Sequence, residues 1–204
     1  MAIKGIVFNT DMVRAILDGR KTVTRRVIRP QPDDDFMKKQ DKALIAAACA
    51  PYQSGDILYV REKWQYAYDM DGNDQFIEGT GRYLYYVENP MPFNDWIDLD
   101  TGEHKDHMPW KPSIHMPKEA ARIWLKVTDV RVERLKDMTE NDVIKEGIGF
   151  DKEHIEVLGG HYDIPYSFEW DSTIKKKDLP LYGWDASPWV WVIEFERTVK
   201  PECI

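Results

Sequence analysis

RIWLKVTDVRVER, residues 122–134, is the longest strand signal in the chain, and its alternation changes parity part-way along. Ile123, Leu125 and Val127 share one parity, whereas Val130 and Val132 share the other. Successive side chains of a strand point to opposite faces, so one apolar face survives such a switch only if an extra residue is inserted. The switch at Thr128–Asp129 therefore predicts a β-bulge or a sharp bend, a device that curls a sheet towards a barrel. WVWVIEFER, residues 189–197, is a second strong strand and closes the chain.

Other elements follow from local chemistry. IKGIVF at 3–8 reads as a first strand. Thr10 or Asp11 then caps a short helix whose Met12, Val13, Ile16 and Leu17 fall on one face, and Gly19 stops it. TVTRRVI at 22–28 is a strand by its β-branched content. Pro30 and Pro32 end it, and Asp33–Asp35 lead into a helix ending in LIAAACA. A turn at Ser54-Gly55-Asp56 opens the strand ILYVREKW at 57–64. TENDVIKEGI at 139–148 carries the capping-box pair Thr139 and Asp142 and a glycine stop at Gly147. SFEWDSTI is a further short helix. Several strands, few helices and short connections predict one α+β domain, residues 1–204, built around a small β-barrel with peripheral helices. Residues 65–110 are aromatic, acidic and rich in turn dipeptides. RYLYYVE at 82–88 is their clear strand, and the segment reads as an insertion with a hairpin.

The chain has 204 residues, 43% hydrophobic and 31% charged, an ordinary globular balance. It contains no run of the ~20 apolar residues a membrane span needs, and its N-terminus, with Asp11, Arg14 and Asp18 among apolar residues, is not a signal peptide. Two cysteines, Cys49 and Cys203, cannot form a disulfide framework, so a reducing cytoplasm is the expected home. The net charge of −8 is unevenly spread. Tyr66 to Asp106 holds ten acidic and two basic side chains, whereas Arg14 to Arg29 holds six basic ones (Arg14, Arg20, Lys21, Arg25, Arg26, Arg29) against Asp18. A concentrated basic patch binds phosphate whatever the distant charge, because surface charges beyond ~10 Å are screened. A solvated cationic face is the plainer reading.

No metal centre or cofactor is expected. His104 and His107 lie in a turn-rich loop, and Cys49, His115, His154 and His161 are scattered. Cys49 reads as small apolar packing in an alanine-rich helix. The distinctive segment is GRKTVTRR, residues 19–26. Alternation puts Arg20, Thr22, Thr24 and Arg26 on one face and Lys21, Val23 and Arg25 on the other, though a turn at the start leaves Lys21 and Thr24 free to converge. A desolvated lysine loses proton affinity and acts as a base, and a threonine hydroxyl beside it acts as a nucleophile. The competing reading is an exposed edge strand that uses charge against aggregation.

GRKTVTRR, Gly55-Asp56-x-Leu58-x-Val60-x-Glu62, RIWLKVTDVRVERL with its following T-E-x-D helix, and the closing VWVIEFER together resemble the ASCH domain family. The whole arrangement, with KPSIHMP and the terminal PWVWVIEF, resembles longer ASCH proteins of phages and prophages. The resemblance implies a PUA-like β-barrel and RNA binding. One compact branch of the family hydrolyses the acetyl amide of acetylcytidine with a lysine, a threonine and a glutamate. By motif these fall on Lys21, Thr24 and Glu146. Arg20, Arg25, Arg26, Glu62 and Trp64 are the accompanying candidates for binding substrate or nucleic acid, with aromatics such as Trp64, Trp184 and Trp189 able to stack a base.

The expected activity is therefore hydrolysis of an acylated nucleobase amide. The alternatives are a non-catalytic reader of RNA or a modified base, a ribonuclease, and a phage protein that binds a host protein through its acidic face. RNA or a modified nucleoside is the expected partner, with single-stranded DNA as another and no membrane.

Overall fold

In a computed structural model the described residues are 1–71, 73, 75–88, 96–98, 101–106, 108–148 and 163–202. They form a mixed α+β fold. The strands are β1 (Ile3–Val7), β2 (Val23–Val27), β3 (Ile57–Arg61), β4 (Trp64–Ala67), β5 (Arg82–Tyr85), β6 (Trp96–Ile97), β7 (His104–Lys105), β8 (Trp124–Arg134) and β9 (Trp189–Thr198). The α-helices are α1 (Thr10–Leu17), α2 (Asp34–Lys39), α3 (Lys42–Cys49), α4 (Glu140–Lys145), α5 (Asp163–Ser172) and α6 (Leu179–Tyr182).

The main sheet has five strands in the order β1-β3-β8-β9-β2, and β4-β5 and β6-β7 form two small antiparallel pairs. The expected bulge is present: Val127 pairs with Phe195 and Asp129 with Glu194, which leaves Thr128 as the extra residue. Its carbonyl accepts from Ser54 Oγ at 2.9 Å, and Val127 bonds Gly55 and Asp56 through its backbone. The bulge thus seats the Ser54-Gly55-Asp56 turn. Asp56 is buried there and receives the Ala2 amide, the Gln53 amide and Lys4 Nζ. Burial pushes its carboxyl up, but the Lys4 and backbone hydrogen bonds prevail and hold it below the ordinary value.

The barrel expected from the sequence is not closed. The ladder ends at β1 and β2, which do not pair with each other, and the entry to β2 takes a contact from α4 instead, with Thr22 N donating to Lys145 O at 2.8 Å. The strand β2 lies at the edge of the sheet, but it is not the exposed charged edge of the competing reading, because Val23, Thr24 and Arg25 are buried. The helix expected to end in LIAAACA is two helices, because Asp41 accepts from Ala43 N and starts a new one. Helix α1 is capped by Asn9, which accepts from Met12 N, rather than by Thr10 or Asp11. Cys49 is exposed, and Ala46 is the buried member of α3. ILYVREKW divides at Glu62-Lys63 into β3 and β4.

The chain divides into two compact units. One comprises 1–4, 15–58 and 123–204, and the other 5–14 and 59–122, which contains the 65–110 segment. The core of the first gathers Val23, Leu135, Met138, Val143, Tyr166, Trp170, Val190 and Val192. The second carries the β4–β5 hairpin, whose Trp64, Tyr66 and Tyr83 rings touch.

Two glycines place the segment that matters most. Gly19 and Gly147 both have φ of +75°, a left-handed conformation that suits glycine. A Cβ on Gly19 would meet nothing within 4 Å, whereas one on Gly147 would lie 2.7 Å from Lys21 Cβ and 2.8 Å from Ala15 Cβ. Gly19→Ala is expected to cost about 1 kcal/mol for backbone strain. Gly147→Ala adds overpacking and should cost about 3 kcal/mol. Urea unfolding of the two variants checks the difference, and equal losses would show that Gly147 is not packed on Lys21.

Candidate functional site

Lys21 reaches its place because the chain reverses after α1. Gly19 N bonds Ile16 O, and the amides of Arg20 and Lys21 both donate to Ala15 O. Glu146 is the C-terminal cap of α4, which starts in the capping box of Thr139 and Asp142 and is followed by Gly147 in a left-handed conformation. Lys21 Nζ then lies 2.5 Å from Glu146 Oε2 and 2.9 Å from the Glu146 carbonyl. A cation at the carbonyl end of a helix is favourably placed, so the lysine answers both a carboxylate and the helix terminus.

Arg25 completes the cluster. Alternation along β2 brings it to the face of the sheet covered by α4 and α5, where Nη1 lies 3.1 Å from Glu146 Oε1. Its Nε and Nη2 donate to Glu133 Oε1 at 2.9 and 2.6 Å, and Nη2 lies 3.3 Å from Asp142 Oδ1. Arg131 links Glu133, Asp142 and Glu194 at the outer end of the network. Tyr166, from α5, donates its hydroxyl to Glu146 Oε1 at 3.3 Å. Lys21, Arg25, Glu146 and Tyr166 are all at most 5% exposed.

Burial sets the electrostatics. Desolvation is the largest influence on Lys21 and lowers its proton affinity. Glu146 opposes it, and the charges of Arg26 and Arg25 reinforce it. Burial also lifts the Tyr166 phenol well above its ordinary range. Asp142 is held below the carboxylate range, since burial is outweighed by its Thr139 and Arg25 contacts.

The other residues singled out from the sequence fall as follows. Thr24 is buried, but alternation turns it to the Arg26 side of β2, and among the described residues its hydroxyl bonds neither Lys21 nor Glu146. Arg20 donates to Gly147 O at 2.7 Å and pairs with Asp18 in solvent. Arg26 is partly buried, and burial lowers its proton affinity. Arg25, a candidate for binding substrate or nucleic acid, has its guanidinium fully enclosed among the carboxylates of Glu133, Asp142 and Glu146.

The other two candidates lie in the second unit. Glu62 is 1% exposed and takes a two-pronged contact from Arg122 at 2.9 and 3.1 Å. Arg122 also pairs with Glu88 and lies 4.0 Å above the Tyr85 ring. Trp64 is buried under Lys111, and among the described residues its indole N–H has no hydrogen-bond partner.

Glu133, Asp142 and Tyr166 are members of the cluster that the sequence did not bring forward as site residues. Asp142 had a visible local role as a cap, but Glu133 joins only through the β8–β9–β2 register. Among the described residues no group of three or more His, Cys, Asp or Glu side chains is arranged to hold a metal. No helix there is long and apolar enough to cross a membrane. His107, His154, His161, Cys203 and part of the acidic segment lie outside the described residues.

No family model matches the chain, and no curated protein matches it significantly. Solved structures similar to it include an ASCH domain from Lactobacillus crispatus JV V101, at 9% identity and a TM-score of 0.38, over 98% of this chain and 81% of that one. A DUF984 protein from Enterococcus faecalis V583 is similar at 10% identity and a TM-score of 0.35, over 99% and 83% of the two chains. A hypothetical protein aligns at 14% identity and a TM-score of 0.32, over 97% of this chain and 100% of that one. The first of these bears the family name that the sequence motifs resemble. At such identities and TM-scores no activity passes from these proteins to this chain.

Arg25→Gln would leave Glu133, Asp142 and Glu146 short of a buried cation. It is expected to cost about 3–5 kcal/mol, the usual penalty for breaking a buried pair. Arg14→Gln, which removes an exposed partner of Asp11, should stay within about 0.5 kcal/mol. Thermal unfolding of the two variants reads the contrast, and a neutral Arg25→Gln would contradict the buried network.

Proposed function

We propose that this chain is a nucleoside- or nucleic-acid-recognising protein of ASCH type that hydrolyses an acylated exocyclic amide of a nucleobase. The observation that carries this reading is the buried 2.5 Å contact between Lys21 and Glu146, in which burial lowers the proton affinity of the lysine. A lysine in water is almost wholly protonated at neutral pH and cannot act as a base, and one pushed down by desolvation can. The four ordered sequence motifs support the choice of substrate class.

In this reading Thr24 Oγ attacks the acyl carbon while neutral Lys21 takes the hydroxyl proton. Glu146 holds the resulting ammonium in place. Lys21 returns the proton to the departing exocyclic amine, which leaves an acyl ester on Thr24. Water, deprotonated by Lys21, then releases the carboxylic acid and restores the threonine. Arg26, on the Thr24 side of β2, and exposed Arg20 are the phosphate contacts.

One observation favours recognition without chemistry. Lys21 Nζ already donates to the Glu146 carboxylate and carbonyl, and among the described residues Thr24 bonds neither of them. The two readings part on product. Wild-type protein incubated with acetylcytidine should yield cytidine and acetate by mass spectrometry. Lys21→Ala should lower turnover by ~10²–10⁴-fold, and Thr24→Val should cost at least as much. Because the base must be neutral, the rate should rise with pH and level off below the ordinary lysine value of 10.5. Binding of acylated nucleosides with no deacylation across several of them would establish the reader instead.

A further inference from the structure

The carboxylate of Glu146 divides its two oxygens between different partners. Oε2 faces Lys21 Nζ at 2.5 Å. Oε1 receives Arg25 Nη1 at 3.1 Å and the Tyr166 hydroxyl at 3.3 Å. We infer that Tyr166 is a positioning residue of this site: by holding Oε1 it orients the Glu146 carboxylate and sets how tightly Oε2 retains the proton of Lys21. The inference rests on the reading of Lys21 as the base, and it adds a residue that the motifs do not contain.

The two donors to Oε1 differ in kind. Arg25 is a fixed cation, bound at the same time to Glu133 and Asp142, and its removal disturbs the whole network. Tyr166 contributes a neutral dipole. Its ring packs in the core with Val23, Val190 and Val192, stacks on Trp170 at 6.3 Å and meets Trp184 edge-on at 5.8 Å. Phenylalanine would satisfy all of that packing. The hydroxyl is buried and aimed at Glu146, and burial keeps it protonated at every working pH, so it stays a donor.

The direction of the effect follows from electrostatics. A hydroxyl donated to Oε1 spreads the charge of the carboxylate, and in a medium of low dielectric that weakens its hold on the Lys21 proton. Among the described residues the charged and titratable groups acting on Lys21 are Glu146 from α4, Arg25 and Arg26 from β2, and through Arg25 also Glu133 from β8 and Asp142 from α4. Removing the hydroxyl leaves all of these in place. The lysine should then keep its proton to higher pH.

The test is an NMR titration of the full chain with ¹⁵N-labelled lysine side chains. The Lys21 resonance is assigned by its absence in Lys21→Met. In Tyr166→Phe the Lys21 midpoint should rise by about half a pH unit. In Tyr182→Phe, which alters the tyrosine that stacks on Arg29, it should not move. An unmoved midpoint in Tyr166→Phe, with or without a lower melting temperature, is what a packing role alone gives and overturns the inference. So does an equal shift in Tyr182→Phe. The titration needs no substrate, so failure of wild-type protein to deacylate acetylcytidine would defeat the proposed activity and leave this result standing. If the protein is active, the inflection of its pH–rate profile should rise in Tyr166→Phe by the same amount.

Discussion

A carboxylate buried between two cations, Glu146 between Lys21 and Arg25, is the constraint around which the first unit is arranged. Charges taken out of water cost several kcal/mol each, and only close opposite charges with well-directed hydrogen bonds offset that cost. The fold supplies them from four elements. The turn after α1 brings Lys21, β2 brings Arg25, α4 ends at Glu146, and β8 adds Glu133 and Arg131. The contacts of Glu146 with Lys21 and Arg25, and of Arg25 with Glu133, join residues more than 100 positions apart, so the network forms only when the sheet register and the end of α4 are both in place. Its features follow from this demand: the tight packing of Gly147 on Lys21, the donation of Thr22 N to Lys145 O, and the covering of the Arg25 face by Val143 and Tyr166.

The same constraint changes the meaning of the charge distribution. As a sequence, Arg14 to Arg29 is a cationic run. In the fold, Arg14 and Arg20 pair with Asp11 and Asp18, Lys21 and Arg25 turn inward, Arg26 is partly covered, and Arg29 lies near Asp178 over the Tyr182 ring. The run is largely structural, and any nucleic-acid contact it makes comes from its less buried members.

Much of the fold was legible where local rules act alone. The parity switch in 122–134 became the bulge at Thr128, because apolar alternation cannot change hand otherwise. Thr139 and Asp142 formed their reciprocal cap, and Gly147 stopped the helix in a left-handed conformation. The pairing of Lys21 with Glu146 was reached by motif resemblance, since the two lie 125 positions apart. What was not legible depended on competition or register. Asn9 outcompeted Thr10 and Asp11 as a cap. Asp41 broke a helix whose apolar pattern ran through it. Whether the sheet closes is decided by what reaches the edges of β1 and β2, which no local pattern records. The burial of Arg25 follows from the register that sets β2 against β9 and β9 against β8.

A double-mutant cycle on folding stability with Lys21→Met and Glu146→Gln tests the central claim most directly, because it isolates the coupling between the two side chains from the loss of either. A buried pair in contact predicts a coupling energy of at least about 2 kcal/mol, with the double variant more stable than the sum of the single losses allows. Losses that add to within about 0.5 kcal/mol would mean that Lys21 and Glu146 do not meet in the folded protein.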